Sequence, residues 1–138
     1  MTWSGVMSKT GAERTWGHLK KGADGLVPAL AVDGVDGPVL MLAYMDREAF
    51  LATMATGRMH YHSRSRGTLW LKGETSGHFQ QVLRCRVDCD ADTLLFEVEQ
   101  TGAACHTGAR SCFYRDIGEL DGDVHGDDED DGREAAKG

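Results

Sequence analysis

Two short apolar runs, residues 26–32 (LVPALAV) and 39–44 (VLMLAY), flank Asp33-Gly34-Val35-Asp36-Gly37-Pro38, a dense cluster of turn formers. Runs of that length bounded by such a cluster read as two strands joined by a loop. The punctuation recurs: residues 59–63 and 68–72 stand either side of Arg64-Ser65-Arg66-Gly67, and residues 79–87 and 94–100 either side of a tight Asp-Ala-Asp-Thr turn. Within 79–87, Phe79, Leu83, Cys85 and Val87 fall on one face of an extended chain, with Gln80, Arg84 and Arg86 on the other. Helix signals are fewer. Asp46 is placed to cap a helix over residues 47–56, Glu48 sits in its first turn, and Phe50, Leu51 and Met54 give it an apolar side. Gly57 is placed to end it. A second short helix is expected to begin around Trp16 and Leu19 and to end near Gly22 or Gly25. The sum is a small, β-rich α+β domain of antiparallel strands and hairpins with one or two helices.

Composition places this domain within the chain. Ten acidic residues against Arg133 and Lys137 lie in residues 116–138, so residues 1–115 carry a net charge of only +1 out of a total of −7. Residues 1–15 read as a flexible arm, 16–115 as the folded domain, and 116–138 as a disordered acidic tail. A near-neutral body offers no basic stripe for a nucleic-acid backbone. No run approaches the eighteen or so apolar residues of a membrane span, and the N-terminus lacks the apolar core of a signal peptide. A cytoplasmic location is expected. There, four cysteines (Cys85, Cys89, Cys105, Cys112) point to metal or catalysis rather than to disulfides.

Three groups of residues could carry chemistry. If the strand runs on through Val87-Asp88-Cys89-Asp90-Ala91-Asp92, Asp88, Asp90 and Asp92 converge on one side and Cys89 points to the other, with Cys85. Clustered carboxylates suit a hard cation such as Mg²⁺, and Cys89 is left for a softer metal. The alternative is a polar hairpin turn with a buried cysteine behind it. Cys105 and Cys112 bracket a Gly-containing loop that would let both thiolates reach one ion, and thiolates select Zn²⁺. With Cys89 they make three ligands, the pattern of catalytic zinc with an open position for water. His106, beside a ligand, could move protons. Two core cysteines and a surface histidine are the alternative. Third, Arg64, Ser65 and Arg66, with Lys72, Glu74, Thr75 and Ser76, gather the cations and hydroxyls that cradle phosphate without a Walker loop. A solvated turn would look the same. His60 and His62 share a strand face and read as structural.

Together these blocks resemble the phosphoribosyl-AMP cyclohydrolase family, which acts at the third step of histidine biosynthesis. The blocks are Asp24-Gly25-Leu26-Val27-Pro28-Ala29, Val39-Leu40-Met41-Leu42-Ala43-Tyr44-Met45-Asp46, Ser63-Arg64-Ser65-Arg66-Gly67 with Leu69-Trp70, Lys72-Gly73-Glu74-Thr75-Ser76-Gly77, Val87-Asp88-Cys89-Asp90-Ala91-Asp92, and Glu99-Gln100-Thr101-Gly102 through Cys105-His106-Thr107-Gly108 to Ser111-Cys112-Phe113. The resemblance implies an intimate homodimer whose zinc is held by Cys105 and Cys112 of one chain and Cys89 of the other, with Asp88, Asp90 and Asp92 as magnesium ligands. It implies hydrolysis of the N1–C6 bond of the adenine ring of 1-(5-phosphoribosyl)-AMP by zinc hydroxide, giving the formimino-aminoimidazole-carboxamide ribonucleotide. His106 is expected to transfer a proton, and the 64–66 and 72–76 residues to bind substrate. Cys85 falls outside the motif and is expected in the core. The preceding pyrophosphohydrolase step, fused to the cyclohydrolase in some relatives, is expected on a separate chain. Two other readings stand beside this one: a non-catalytic, zinc-stapled dimeric nucleotide-binding module, and a zinc nucleoside deaminase. The deaminase signature, His-x-Glu with Pro-Cys-x-x-Cys, is absent.

Overall fold

Asp46 does cap the expected helix. Its side chain accepts a hydrogen bond from the Ala49 N–H at 2.9 Å, and the helix, Arg47–Thr56, ends at Gly57 in the left-handed conformation. The computed structural model describes residues 7–34 and 37–121; Val35, Asp36, the first six residues and most of the acidic tail lie outside the described residues. The first helix, α1 (Lys9–His18), begins well before Trp16, with Ser8 as its cap. Residues 9–15, expected in the arm, are therefore helical. The sequence signal is weak there because Gly11 and Gly17 disfavour a helix. What holds α1 is tertiary: Trp16 is buried with its ring 5.4 Å from that of Phe50 on the second helix, α2 (Arg47–Thr56).

Six strands follow the expected segments: β1 (Val27–Asp33), β2 (Val39–Met45), β3 (His60–Ser63), β4 (Thr68–Leu71), β5 (Gln80–Val87) and β6 (Leu94–Gln100). They form one sheet in the order β4-β3-β2-β1-β6-β5. The three hairpins are antiparallel, as expected. The join between β1 and β6 is parallel, so beside the expected antiparallel strands the sheet holds one parallel pair and is mixed. Side-chain alternation reports which face a residue takes, not which strand lies beside it, so this pairing was invisible in the sequence.

The face assignment along β5 also needs correction. The register shifts between Val82 and Arg84, where Val82 pairs with Val98 but Arg84 with Glu97. This bulge throws the two halves of the strand out of phase. The core side therefore takes Gln80 and Val82 before the bulge and Cys85 after it, and Phe79 is not on the face of Cys85. Cys85 packs against the core as expected.

The core lies on one face of the sheet, under α1 and α2, and is built from Val27, Ala29, Ala31, Met41, Ala43, Met45, Phe50, Met54, Phe96 and Val98. Among the described residues the opposite face carries no helix. There Leu42, Leu30 and Leu95 lie in register across β2, β1 and β6, all half-buried. Among the described residues no helix is long and apolar enough to cross a membrane.

Candidate active site

The sheet has two chemically different ends. At the end where β1 finishes and β2 begins, the segment after β6 folds into a loop carrying Cys105 and Cys112. The Ala104 N–H donates to the Arg110 carbonyl and the Cys105 N–H to the Ala109 carbonyl, which closes the loop on itself. The Cys112 N–H donates to the Leu40 carbonyl at 2.7 Å, and the Ser111 hydroxyl to the Val39 carbonyl at 2.7 Å. Arg110 reaches the nearly buried Asp33 at the end of β1, 2.6 Å away. The loop is thus anchored on three sides, and its two sulfurs are held together on the sheet end.

Lys72 belongs to this end. Its ammonium donates to the Ala104 carbonyl at 2.6 Å and lies close enough to Cys112 and Cys105 for their charges to matter. Burial holds the Lys72 pKa below its ordinary value, against the pull of the two sulfurs. Burial would push the Cys105 thiol up. Hydrogen bonds from the Thr107 side chain (3.1 Å) and backbone, contact with Cys112 and the Lys72 charge outweigh it, and the thiol sits below its ordinary value. A thiol so surrounded is a ready metal ligand. His106 is exposed at the tip of the same loop. Two glycines fit the 72–78 segment to this loop. At Gly102 (φ +69°) an added Cβ would lie 2.5 Å from the His78 ring, and at Gly73 (φ +91°) 2.6 Å from the His78 backbone.

At the other end, the β5–β6 turn brings Asp88, Asp90 and Asp92 within 4.8 Å of one another. They converge for a different reason from the one expected. β5 ends at Val87, and the chain turns over with Ala91 in the left-handed region (φ 63°). Asp88 organises the turn by accepting from the Asp92 and Thr93 N–H groups at 3.0 and 3.2 Å. Desolvation would raise the Asp88 carboxyl, but the hydrogen bonds from Asp92 and Thr93 together outweigh it and hold the group below its ordinary pKa, while the hydrogen bond shared with Asp88 pushes Asp92 up. Alternation no longer separates Cys89 from its neighbours. Cys89 is a free thiol, exposed in this turn as Asp88 and Asp90 are. The arrangement fits a hard cation at the carboxylates and leaves the sulfur free for a soft one.

The expected phosphate cradle is divided between the two ends. Arg64, Ser65 and Arg66 form the β3–β4 turn, where Ser63 pairs with Thr68; Lys72 and the exposed Glu74, Thr75 and Ser76 follow the far end of that hairpin, where His60 pairs with Leu71. Arg64 stacks on the Tyr44 ring with its guanidinium carbon 4.1 Å from the ring centre. His62 lies 3.3 Å from Asp46, and His60 contacts the Arg58 carbonyl, so both keep structural surroundings.

Beside the aspartate turn, Lys20, Lys21, Asp24, Leu26, Pro28, Tyr44, Arg64 and Asp92 line a cavity of about 590 Å³. Sequence reading gave Lys20, Lys21 and Tyr44 no role. The adjacent lysines just ahead of Asp24-Gly25-Leu26-Val27-Pro28-Ala29 were the available signal.

A model of the phosphoribosyl-AMP cyclohydrolase family matches residues 41–114, a stretch containing both the aspartate turn and the cysteine loop. The chain belongs to this family. Curated phosphoribosyl-AMP cyclohydrolases similar to it include that of Haloquadratum walsbyi, 59% identical over 100 residues (72% of this chain, 76% of the relative). That of Streptomyces avermitilis is 58% identical over 106 residues (77% and 80%), and that of Rhodospirillum rubrum 55% over 103 residues (75% and 72%). Family membership makes the chain a hydrolase of this kind. It also matches the scale of the site: the cyclohydrolase-like region runs from β2 through the cysteine loop, and so spans both ends of the sheet.

Proposed function

We propose that the chain hydrolyses the N1–C6 bond of the adenine ring of 1-(5-phosphoribosyl)-AMP in histidine biosynthesis, working as a homodimer with Zn²⁺ and Mg²⁺. One observation carries the reading. Cys105 and Cys112 sit at one end of the sheet and Cys89 at the other. β6 alone, seven residues between them, measures roughly 20 Å at ~3.3 Å per residue. Two sulfurs on one zinc stand less than about 5 Å apart, given Zn–S bonds of ~2.3 Å. The three thiols therefore serve one zinc only if a second chain brings its opposite end alongside. The half-buried leucine row across β2, β1 and β6, on the face without helices, supports such pairing.

Zinc held by Cys105 and Cys112 with Cys89 from the partner would supply Lewis acidity and a water acidic enough to attack at neutral pH. The chain's own residues do the rest. Thr107 and Lys72 stabilise the Cys105 thiolate that binding requires. Lys72, tied to the Ala104 carbonyl, fixes positive charge behind the loop. His106, exposed beside Cys105, delivers a proton to N1 as the C6–N1 bond breaks and the water oxygen becomes the carboxamide carbonyl. Asp88, Asp90 and Asp92 would hold Mg²⁺ near the substrate phosphates.

The test is turnover of phosphoribosyl-AMP followed by product absorbance, before and after chelation and with zinc restored. Activity lost on chelation and regained with zinc is expected. Zinc retained without any turnover would mean a stapled binding module instead. His106→Ala should lower kcat at least about 100-fold with zinc content unchanged; near-normal turnover would remove His106 from the mechanism.

A further inference from the structure

The cavity beside the aspartate turn is built for a charged, partly apolar ligand. Leu26, Pro28 and Tyr44 form apolar surface, Lys20, Lys21 and Arg64 supply three cations, and two carboxylates line it too: Asp24, which accepts from the Leu26 N–H, and Asp92, one corner of the acidic cluster. Its volume of about 590 Å³ lies within the ~300–1,000 Å³ of small-molecule sites. The cations differ in availability. Lys21 is engaged, donating to the Trp16 carbonyl at 3.1 Å and lying over the Trp16 ring. The Lys20 side chain meets no acceptor among the described residues, and its backbone N–H is tied to the Ala91 carbonyl of the aspartate turn at 2.7 Å. That bond fixes the spacing between the lysine and the carboxylates. Arg64 meets no carboxylate among the described residues; its guanidinium carbon lies 4.1 Å from the centre of the Tyr44 ring.

The position of the cavity decides which half of the catalytic centre it serves. Pro28 and Tyr44 are directly paired near the start of β1 and the end of β2, whereas the cysteine loop hangs on Asp33, Val39 and Leu40 at the opposite end. Leu40 to Tyr44 alone is about 13 Å of strand. The cavity therefore travels with Cys89, not with the Cys105 and Cys112 of its own chain. We propose that it is the subsite for one ribose 5-phosphate arm of the substrate, with the phosphate between Lys20 and Arg64, and that it works in trans on the cysteine loop of the partner subunit. This rests on the dimeric cyclohydrolase reading. The ligand class follows from the lining: two cations with no ion-pair partner among the described residues for a phosphate, an apolar wall for a sugar or base, and carboxylates beside them for a bridging divalent ion.

Two measurements test it. Calorimetric titration of the zinc-loaded protein with ribose 5-phosphate in Mg²⁺ buffer should show binding that weakens about tenfold or more in Lys20→Ala and Arg64→Ala, but not in the control Lys9→Ala on α1. The same two variants should raise KM for phosphoribosyl-AMP far more than they lower kcat. Unchanged affinity and unchanged KM in both variants would overturn the subsite while leaving the family reading intact. A wild-type protein that binds ribose 5-phosphate but never turns over phosphoribosyl-AMP would overturn the function and not the subsite.

The trans arrangement is read from mixed dimers. Lys20→Ala combined with Cys105→Ala leaves one site with both halves intact, so low-KM activity should return on mixing. Lys20→Ala combined with Cys89→Ala places both lesions in the same half and should give no such recovery. The opposite pattern would assign the cavity to the cysteine loop of its own chain and refute the proposal.

Discussion

Gly102→Ala tests how the cysteine loop is seated. Gly102 has φ +69°, and an added Cβ would stand 2.5, 2.7 and 2.8 Å from three atoms of the His78 ring. The left-handed backbone costs an alanine about 1–2 kcal/mol. Forcing the methyl into the imidazole adds about 1–3 kcal/mol for overpacking, so the total is roughly 2–5 kcal/mol. Removing the ring should recover the second part alone. In the double variant Gly102→Ala/His78→Ala, stability should exceed the sum of the two single losses by about 1–3 kcal/mol. Urea unfolding followed by circular dichroism, at one fixed protein concentration because dimer stability depends on it, gives the four corners of this cycle. Zinc content should fall in Gly102→Ala and rise again in the double variant, because Gly102 stands three residues ahead of Cys105. Additivity within about 0.5 kcal/mol would show that the His78 contact does not seat the loop.

Three further outcomes follow from packing and from pKa. Trp16→Ala should destabilise the fold by about 3–5 kcal/mol, since it removes the buried ring that joins α1 to Phe50; a change below 1 kcal/mol in urea unfolding would show α1 to be dispensable. Burial pushes the Cys85 thiol up to about 12, so at pH 8 the zinc-free native protein should be alkylated by iodoacetamide at the exposed Cys89 long before Cys85, as read by peptide mass spectrometry. The same shift has a stability sign. Because the folded pKa is raised above the unfolded ~8.5, the contribution is whole below that pH and is lost as pH climbs towards 12. A Cys85→Ala variant should show a shallower alkaline loss of stability.

Much of the fold was legible in local pattern. Asp46 and Gly57 mark the two ends of α2, and the turn clusters separate the strands, because capping and turn chemistry act within a few residues. The thiols and carboxylates proposed to hold the metals were likewise picked out by residue type, since sulfur and carboxylate state their own preferences wherever they stand. Tertiary structure decided the rest. The parallel pairing of β1 with β6, the bulge at Leu83, and the helix held by Trp16 against Phe50 are contacts between distant segments that no local period encodes. The same holds for the site. Arg64 and Lys72 are eight residues apart in the chain and read as one cradle, yet the β3–β4 hairpin carries them to opposite ends of the sheet. Lys20 is remote from Asp92 in sequence but lines the same cavity. Sequence named the chemical groups, because reactivity belongs to side chains; their distribution between two ends of one sheet depends on strand order and direction, which only the assembled fold fixes.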